Sequence, residues 1–303
     1  MVALLRLVSD HFGATLGMAL AYSLAATLLW IVRRPHGLRG FPRRYLLIGG
    51  TLFVTTDVCA GLAVGLAADA NQAVEVSIVH YLWPTLTVLL ATLALGRRGT
   101  LRLVLPGALL AMAGIVFAVS GEVGLDVARI ATNVASNPLP YALALTAAVA
   151  WSCYNVFSPG LARGHDGITL FFTGVAVALW IIHLSAGATV PGRVPWTGYA
   201  ALVGAAVAVA AGYALWNIGI IRGDMRVLST ASYTTPLLSS AVAAVLLGTT
   251  LGRPFWVGVA LVVIGSLVSW WAGHRREDEV ARARSASAMA MREDGRDGGL
   301  QED

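Results

Sequence analysis

The chain has 303 residues, of which 57% are hydrophobic and 12% charged, with a mean hydropathy of +0.73 and a net charge of +5. A soluble domain carries about 25% charged residues. This composition therefore excludes an ordinary soluble domain and makes a lipid bilayer the solvent for much of the chain. The positive balance is no nucleic-acid footprint, because it is divided among many short loops and not gathered on one face.

In chain order, residues 1–8 are apolar but too short to span a bilayer, and a polar turn at 9–13 follows. This start reads as the outer end of a helix. A spanning helix needs about 20 mostly apolar residues. Nine stretches qualify: 15–32, 45–66, 73–95, 103–119, 139–157, 168–185, 199–220, 227–247 and 255–272. Counting a complete first helix, the total is ten. Polar or Gly- and Pro-bearing connectors separate them, the longest at 121–138. Residues 274–303 are charged and rich in Ser, Gly and Ala, and are expected to form a disordered tail.

Orientation follows from the arginines. There is no lysine, and all 21 basic residues are Arg. Seventeen fall in every second connector or in the tail: at 33, 34, 39, 43 and 44; at 97, 98 and 102; at 163; at 222 and 226; and at 275, 276, 282, 284, 292 and 296. The exceptions are Arg6, Arg129, Arg193 and Arg253. Cytoplasmic loops carry such an excess, so the C-terminus is expected on the cytoplasmic side of a bacterial-type inner membrane.

The chain also repeats itself. Tyr81-Leu-Trp-Pro84 and Tyr233-Thr-Thr-Pro236 each lead into a small- and Leu-rich segment ending in Leu-Gly, at 95–96 and 247–248. Each is followed by an Arg-bearing loop and a Gly-containing apolar segment. Two units of five helices, an odd number, must be inverted relative to each other. That arrangement places a solute site near the midplane, between the halves. The expected units are 1–120 and 139–273.

Polar groups at membrane depth are expensive and face a cavity or a partner. Asp57 and Glu75 are candidates for carrying a proton, since desolvation favours a neutral carboxyl. The competing readings are a packing hydrogen bond for Asp57 and interfacial exposure for Glu75. His80, Tyr81 and Trp83 form the densest constellation. His80 and Trp83, at i and i+3, are expected on one helix face, and Pro84 is expected to kink or loosen the helix there. Such a cluster suits stacking on an organic solute. Further clusters are Trp151, Tyr154 and Asn155, and Tyr213, Trp216 and Asn217; Tyr233 is the repeat partner of Tyr81, and Pro236 that of Pro84. Each cluster alone also fits core packing. Cys59 and Cys153 both sit inside apolar segments and read as small buried hydrophobes. Gly61 and Gly65, and the stretch 204–212, offer small faces for close helix approach.

The sequence lacks a phosphate-binding Gly-x-x-x-x-Gly-Lys-Ser/Thr loop, a His-Glu-x-x-His zinc site and a Gly-x-Ser-x-Gly nucleophile turn. No cofactor, metal or enzymatic role is expected. The segment from His80 to Pro84, the stretch Trp216-Asn-Ile-Gly219 with Gly223, and Ser232-Tyr-x-x-Pro-x-Leu-Ser-Ser240 resemble the drug/metabolite transporter superfamily. Within it they are most similar to EamA-type aromatic amino acid exporters. The resemblance implies ten helices in two inverted repeats, cytoplasmic termini, and export of aromatic and other neutral amino acids by alternating access. It also implies a central cavity lined by Tyr81 and Trp83, with Trp151 and Trp216 beside them. The implied partners are a small-molecule substrate and the lipid bilayer, with no nucleic acid. Alternatives are export of another metabolite or drug and, in a different class, an integral membrane enzyme or lipid-handling protein.

Overall fold

The computed structural model describes residues 2–33, 40–94, 98–120, 127–187, 192–223 and 252–265, with 228, 231, 234, 238, 267, 268 and 271 described singly. The described residues are helical, with no strand among them. The elements are α1 (Val2–Phe12), α2 (Ala14–Arg33), a π-helical turn (Tyr45–Gly49) running into α3 (Gly50–Gly65), α4 (Ala70–His80) and α5 (Trp83–Ala94). They continue with α6 (Arg98–Ser120), α7 (Val127–Ser136), α8 (Leu139–Ala162), α9 (Ile168–Ser185), α10 (Trp196–Arg222) and α11 (Arg253–Gly265).

Five described helical spans are long and apolar enough to cross a bilayer: Ala14–Arg33, Tyr45–Gly65, Glu75–Ala94, Ile168–Ser185 and Trp196–Arg222. Their exposed positions are bulky and apolar, including Leu47, Val177, Ile181, Val203 and Leu215. Their buried positions mix small residues such as Ala19, Ala25 and Ala205 with large ones such as Phe53, Phe172 and Leu179. α8 also spans about 36 Å at 1.5 Å per residue. It is less apolar than the five because it carries Trp151, Ser152, Tyr154, Asn155 and Ser158, all buried.

Two expectations are corrected. The stretch 73–95 is not one helix: α4 ends at His80, Tyr81 and Leu82 form a turn, and α5 begins at Trp83. Pro84 therefore lies in the first turn of a new helix, where its missing N–H leaves no gap, and His80 and Trp83 do not share one helical face. The connector 121–138 is not all loop either; α7 occupies ten of its residues.

The bundle is organised around α2 and α9, which pack along each other at its centre. Three side-chain hydrogen bonds cross that seam: Trp30 Nε1 to Thr173 Oγ1 (3.0 Å), Trp180 Nε1 to Ser23 Oγ (2.9 Å), and Thr15 Oγ1 with His183 Nδ1 (2.9 Å). His183 is thus a packed, bonded residue. Around the pair, α3 packs on α8 and α9, and α10 packs on α1 and α2. Close approach relies on the small faces expected from sequence. A Cβ on Gly65 would lie 2.8 Å from the Ala14 Cβ, and one on Gly61 would lie 3.2 Å from the Met18 sulfur. The 204–212 stretch works through its alanines, with Ala205, Ala206 and Ala210 buried, while Gly212 faces open space. α6 and α11 meet backbone to backbone: a Cβ on Gly265 would sit 2.4 Å from the Ala111 nitrogen.

Candidate functional site

Seven of the candidate residues come together at the centre of the bundle. α5 contributes Trp83, α8 contributes Trp151, Tyr154 and Asn155, and α10 contributes Tyr213, Trp216 and Asn217. The Trp83 ring stands edge-on to Trp216 at 5.5 Å and to Trp151 at 6.2 Å. Trp151 stacks on Tyr154 at 5.3 Å with an interplanar angle of 8°, and meets the edge of Tyr213 at 5.3 Å. Phe53 of α3 touches Trp151, Tyr154 and Tyr213 within 6.0 Å and closes the floor of this cluster. Edge-to-face and offset geometries of this kind use the ring quadrupoles favourably.

Each buried polar group in the cluster is assigned by the helix that carries it. Trp216 Nε1 donates to Asn155 Oδ1 at 2.9 Å, while Asn155 Nδ2 is buried without a partner. Ser152 Oγ donates to the Trp83 carbonyl at 3.0 Å, which ties the start of α5 to α8. Tyr154 donates to Asn217 Oδ1 at 2.5 Å, and Asn217 Nδ2 donates to Asp166 Oδ1 at 2.5 Å. Asp166 in turn pairs with Arg33 and accepts the Ile168 N–H at 3.1 Å, and Arg33 also reaches the Ala214 carbonyl at 3.3 Å. Nearby, Tyr45 in the π turn accepts the Gly167 N–H at 3.2 Å. The result is a continuous polar chain, Arg33–Asp166–Asn217–Tyr154, that joins the end of α2 to α8 and α10.

Asp57, His80 and Tyr81 lie beside this cluster, on a separate cavity of about 40 Å³. Tyr22 and Tyr213 complete its polar wall, with Ala60, Gly61, Val76 and Ala144 among the apolar lining. Asp57 is fully buried. Its Oδ1 accepts from the Tyr22 hydroxyl at 3.0 Å, and its Oδ2 has no partner. Trp83 is not part of this lining.

Glu75 stands apart from both groups. It is buried at 6% exposure rather than interfacial. Both its oxygens accept from Asn133 Nδ2 at 3.1 Å, and Tyr141 donates to Oε2. Gln72 and Asn137 extend this network at 2.9 Å. It fastens α7 to α4 and α8. Tyr233 and Pro236 lie outside the described residues.

The sequence reading missed Arg33, Asp166, Tyr22, Tyr45 and Phe53. Arg33 was counted only as a topology signal, and Asp166 sits in a Gly-His-Asp-Gly loop with no spacing that links it to a partner 133 residues away. Tyr22 and Phe53 are single aromatics without a local cluster to mark them. Among the described residues no group of three His, Cys, Asp or Glu side chains is placed to hold a metal.

Comparison with known proteins places this arrangement in a family. The EamA-like transporter family matches residues 138–271. The aromatic amino acid exporter YddG of Salmonella typhimurium (strain 14028s / SGSC 2262) is 42% identical over 277 residues, 91% of this chain and 94% of the relative. YddG of Escherichia coli (strain K12) is 40% identical over 276 residues, 91% and 93% of the two chains. YddG of Ancylobacter novellus is 32% identical over 199 residues, 64% of this chain and 66% of the relative. A crystal structure at 24% identity superposes with a TM-score of 0.66, covering 88% of this chain and 93% of that one, and so shares the fold. The chain is a multi-pass membrane protein that belongs to the EamA-like transporters, in the family of the YddG exporters.

Proposed function

We propose that this protein exports aromatic and other neutral amino acids across the bacterial inner membrane. The observation that carries the proposal is the cluster of Trp83, Trp151, Tyr154, Tyr213 and Trp216 at the crossing of α5, α8 and α10, in a chain 42% identical to an aromatic amino acid exporter. Aromatic faces at membrane depth offer an indole or phenyl group the stacking that lipid does not.

The mechanism is alternating access between two inverted repeats, at 1–120 and 139–273; the tail expected at 274–303 lies outside the described residues. The packing supports this reading. Tyr81 and Tyr233 are 152 residues apart, and the same offset carries α2 onto α9, α3 onto α10 and α6 onto α11. The contacts come in matching pairs: α3 with α8 as α10 with α1, and α3 with α9 as α10 with α2. Rocking about the α2–α9 seam exposes the aromatic cluster to one side at a time. Tyr154 and Asn217 belong to both the cluster and the Arg33–Asp166 chain, so a solute in the cluster competes with the closure of that end. Pro84 stands in the first turn of α5, just after the break at Tyr81 and Leu82, and is the gating candidate of the first repeat; Pro236, its expected counterpart, lies outside the described residues. Of the two carboxylates, Asp57 lines a cavity, whereas Glu75 is held by Asn133 and Tyr141.

Counterflow of labelled tryptophan in proteoliposomes, with a panel of competitors, tests the assignment. Inhibition by phenylalanine and tyrosine, but not by nucleosides or diamines, is the expected result. Inhibition by those other classes with indifference to aromatic amino acids assigns the protein to export of another metabolite. Chemical change of the solute during transit makes it an enzyme.

A further inference from the structure

Two residues that line the Asp57 cavity each carry a buried polar atom without a hydrogen-bond partner: Asp57 Oδ2 and His80 Nδ1. They come from different helices, α3 and the end of α4, yet line the same small space. A fully buried carboxylate costs several kcal/mol unless it is neutralised or paired. Asp57 accepts the Tyr22 hydroxyl at 3.0 Å on Oδ1, and the Tyr213 hydroxyl is also turned toward its carboxyl, but neither neighbour carries a charge that balances it. The ion pairs among the described residues are Arg6–Asp10 and Arg33–Asp166, so no guanidinium neutralises it. The His80 ring faces the Ala144 carbonyl; with its proton on that side, Nδ1 is left as a lone-pair acceptor.

The space selects the occupant. A water needs roughly 10–15 Å³ of such volume. The 40 Å³ present therefore admits an ammonium group and its carbon, or a few waters, but no indole. The rings of Tyr22, Tyr81 and Tyr213 surround it, and aromatic faces attract cations. Tyr213 is the shared wall, since its other neighbour is Trp151 at 5.3 Å. A molecule with its cationic end at Asp57 thus projects past Tyr213 toward the tryptophans.

We propose that the Asp57–His80 cavity binds the α-ammonium group of the transported amino acid, with Asp57 Oδ2 and His80 Nδ1 as acceptors and Tyr22 holding the carboxylate in place. This deepens the amino acid export reading and rests on it. The cavity supplies selection for a primary ammonium, and the aromatic cluster supplies selection for the side chain.

The test uses the full chain in proteoliposomes. Labelled tryptophan counterflow is competed with tryptamine, which keeps the amine and lacks the carboxylate, and with indole-3-propionate, which keeps the carboxylate and lacks the amine. Tryptamine is expected to compete at least about 10-fold better than indole-3-propionate, in line with a charge-assisted hydrogen bond. In Asp57→Asn, tryptophan affinity is expected to fall about 10- to 100-fold while indole-3-propionate affinity holds, so that the discrimination collapses. Asp57→Glu, which keeps the charge, restores part of it; it is the variant to read if the Asn form does not fold. Equal competition by the two analogues in the wild type overturns the proposal. So does an Asp57→Asn protein that keeps tryptophan affinity and loses only its response to a pH gradient, since that makes Asp57 a proton carrier. Absence of any wild-type tryptophan counterflow instead refutes the export reading itself, and this proposal with it.

Discussion

Removing the Asp166 carboxylate is expected to loosen one end of the transporter. Asp166 accepts from Arg33, from Asn217 Nδ2 at 2.5 Å and from the Ile168 N–H at 3.1 Å. The first two bonds join α2 and α10 to the α8–α9 loop, and the proposed opening of that end breaks them. Hydrogen bonds to charged groups are worth about 1.5–3 kcal/mol each. Both side chains of the Arg33–Asp166 pair are partly exposed, at 24% and 18%, so water recovers much of the pair's energy and its share drops to about 1 kcal/mol or less. A net bias of roughly 1–2 kcal/mol toward the closed state follows, or about 5- to 30-fold in population. The reporter is Ser158→Cys on α8, a buried position whose hydroxyl has no partner, introduced after Cys59→Ala and Cys153→Ala. Its labelling rate by an impermeant maleimide, added in turn to each side of the membrane, is expected to rise by that factor on one side in Asp166→Ala. A smaller rise is expected in Asp166→Asn, which keeps an acceptor for Asn217. Unchanged labelling in a folded Asp166→Ala protein refutes the latch.

Other expectations concern the cluster and its frame. Trp83 is only 8% exposed, so Trp83→Ala carries a cavity cost of about 3–5 kcal/mol; Trp83→Phe is the cleaner variant and is expected to lower the tryptophan counterflow rate with the folded yield retained. Glu75→Gln is expected to leave the response of transport to a pH gradient intact while lowering thermal stability by about 1–3 kcal/mol through its weakened bonds to Asn133 and Tyr141. A drop in gradient response with stability unchanged reverses that assignment. Gly265→Val drives a side chain into the α6 backbone, where a Cβ already falls 2.5 Å from the Gly107 carbonyl oxygen. It is expected to destabilise the α6–α11 contact by about 3 kcal/mol or more, seen as a lower unfolding temperature in detergent.

Five of the spans, and the aromatic clusters at 151–155 and 213–217, were legible because both are local. Apolar runs of membrane length, and Trp, Tyr and Asn within one helical turn, are written along the chain at 151–155 and at 213–217. The helix break was half legible: Pro84 announced a disturbance at the right place, but local rules did not distinguish a kink from the turn at Tyr81 and Leu82 that restarts the helix. α7 was hidden by its polarity, since a search for bilayer-length apolar runs passes over a short amphipathic helix. What stayed illegible is what tertiary packing alone assembles. Asp166 and Arg33 are 133 residues apart, and Glu75 meets Tyr141 across 66. The division of His80 and Tyr81 from Trp83, three neighbours that face two different environments, follows from the turn between α4 and α5 and from no spacing in the sequence.

The claim of amino acid export is tested most directly by uptake of labelled tryptophan, threonine and alanine into liposomes carrying the purified full chain, with and without an imposed pH gradient. Saturable tryptophan uptake, inhibited by phenylalanine, is the expected result. Dependence on the gradient adds proton coupling to that account, and independence makes the protein a facilitator. Folded, reconstituted protein that moves none of the three amino acids contradicts the account.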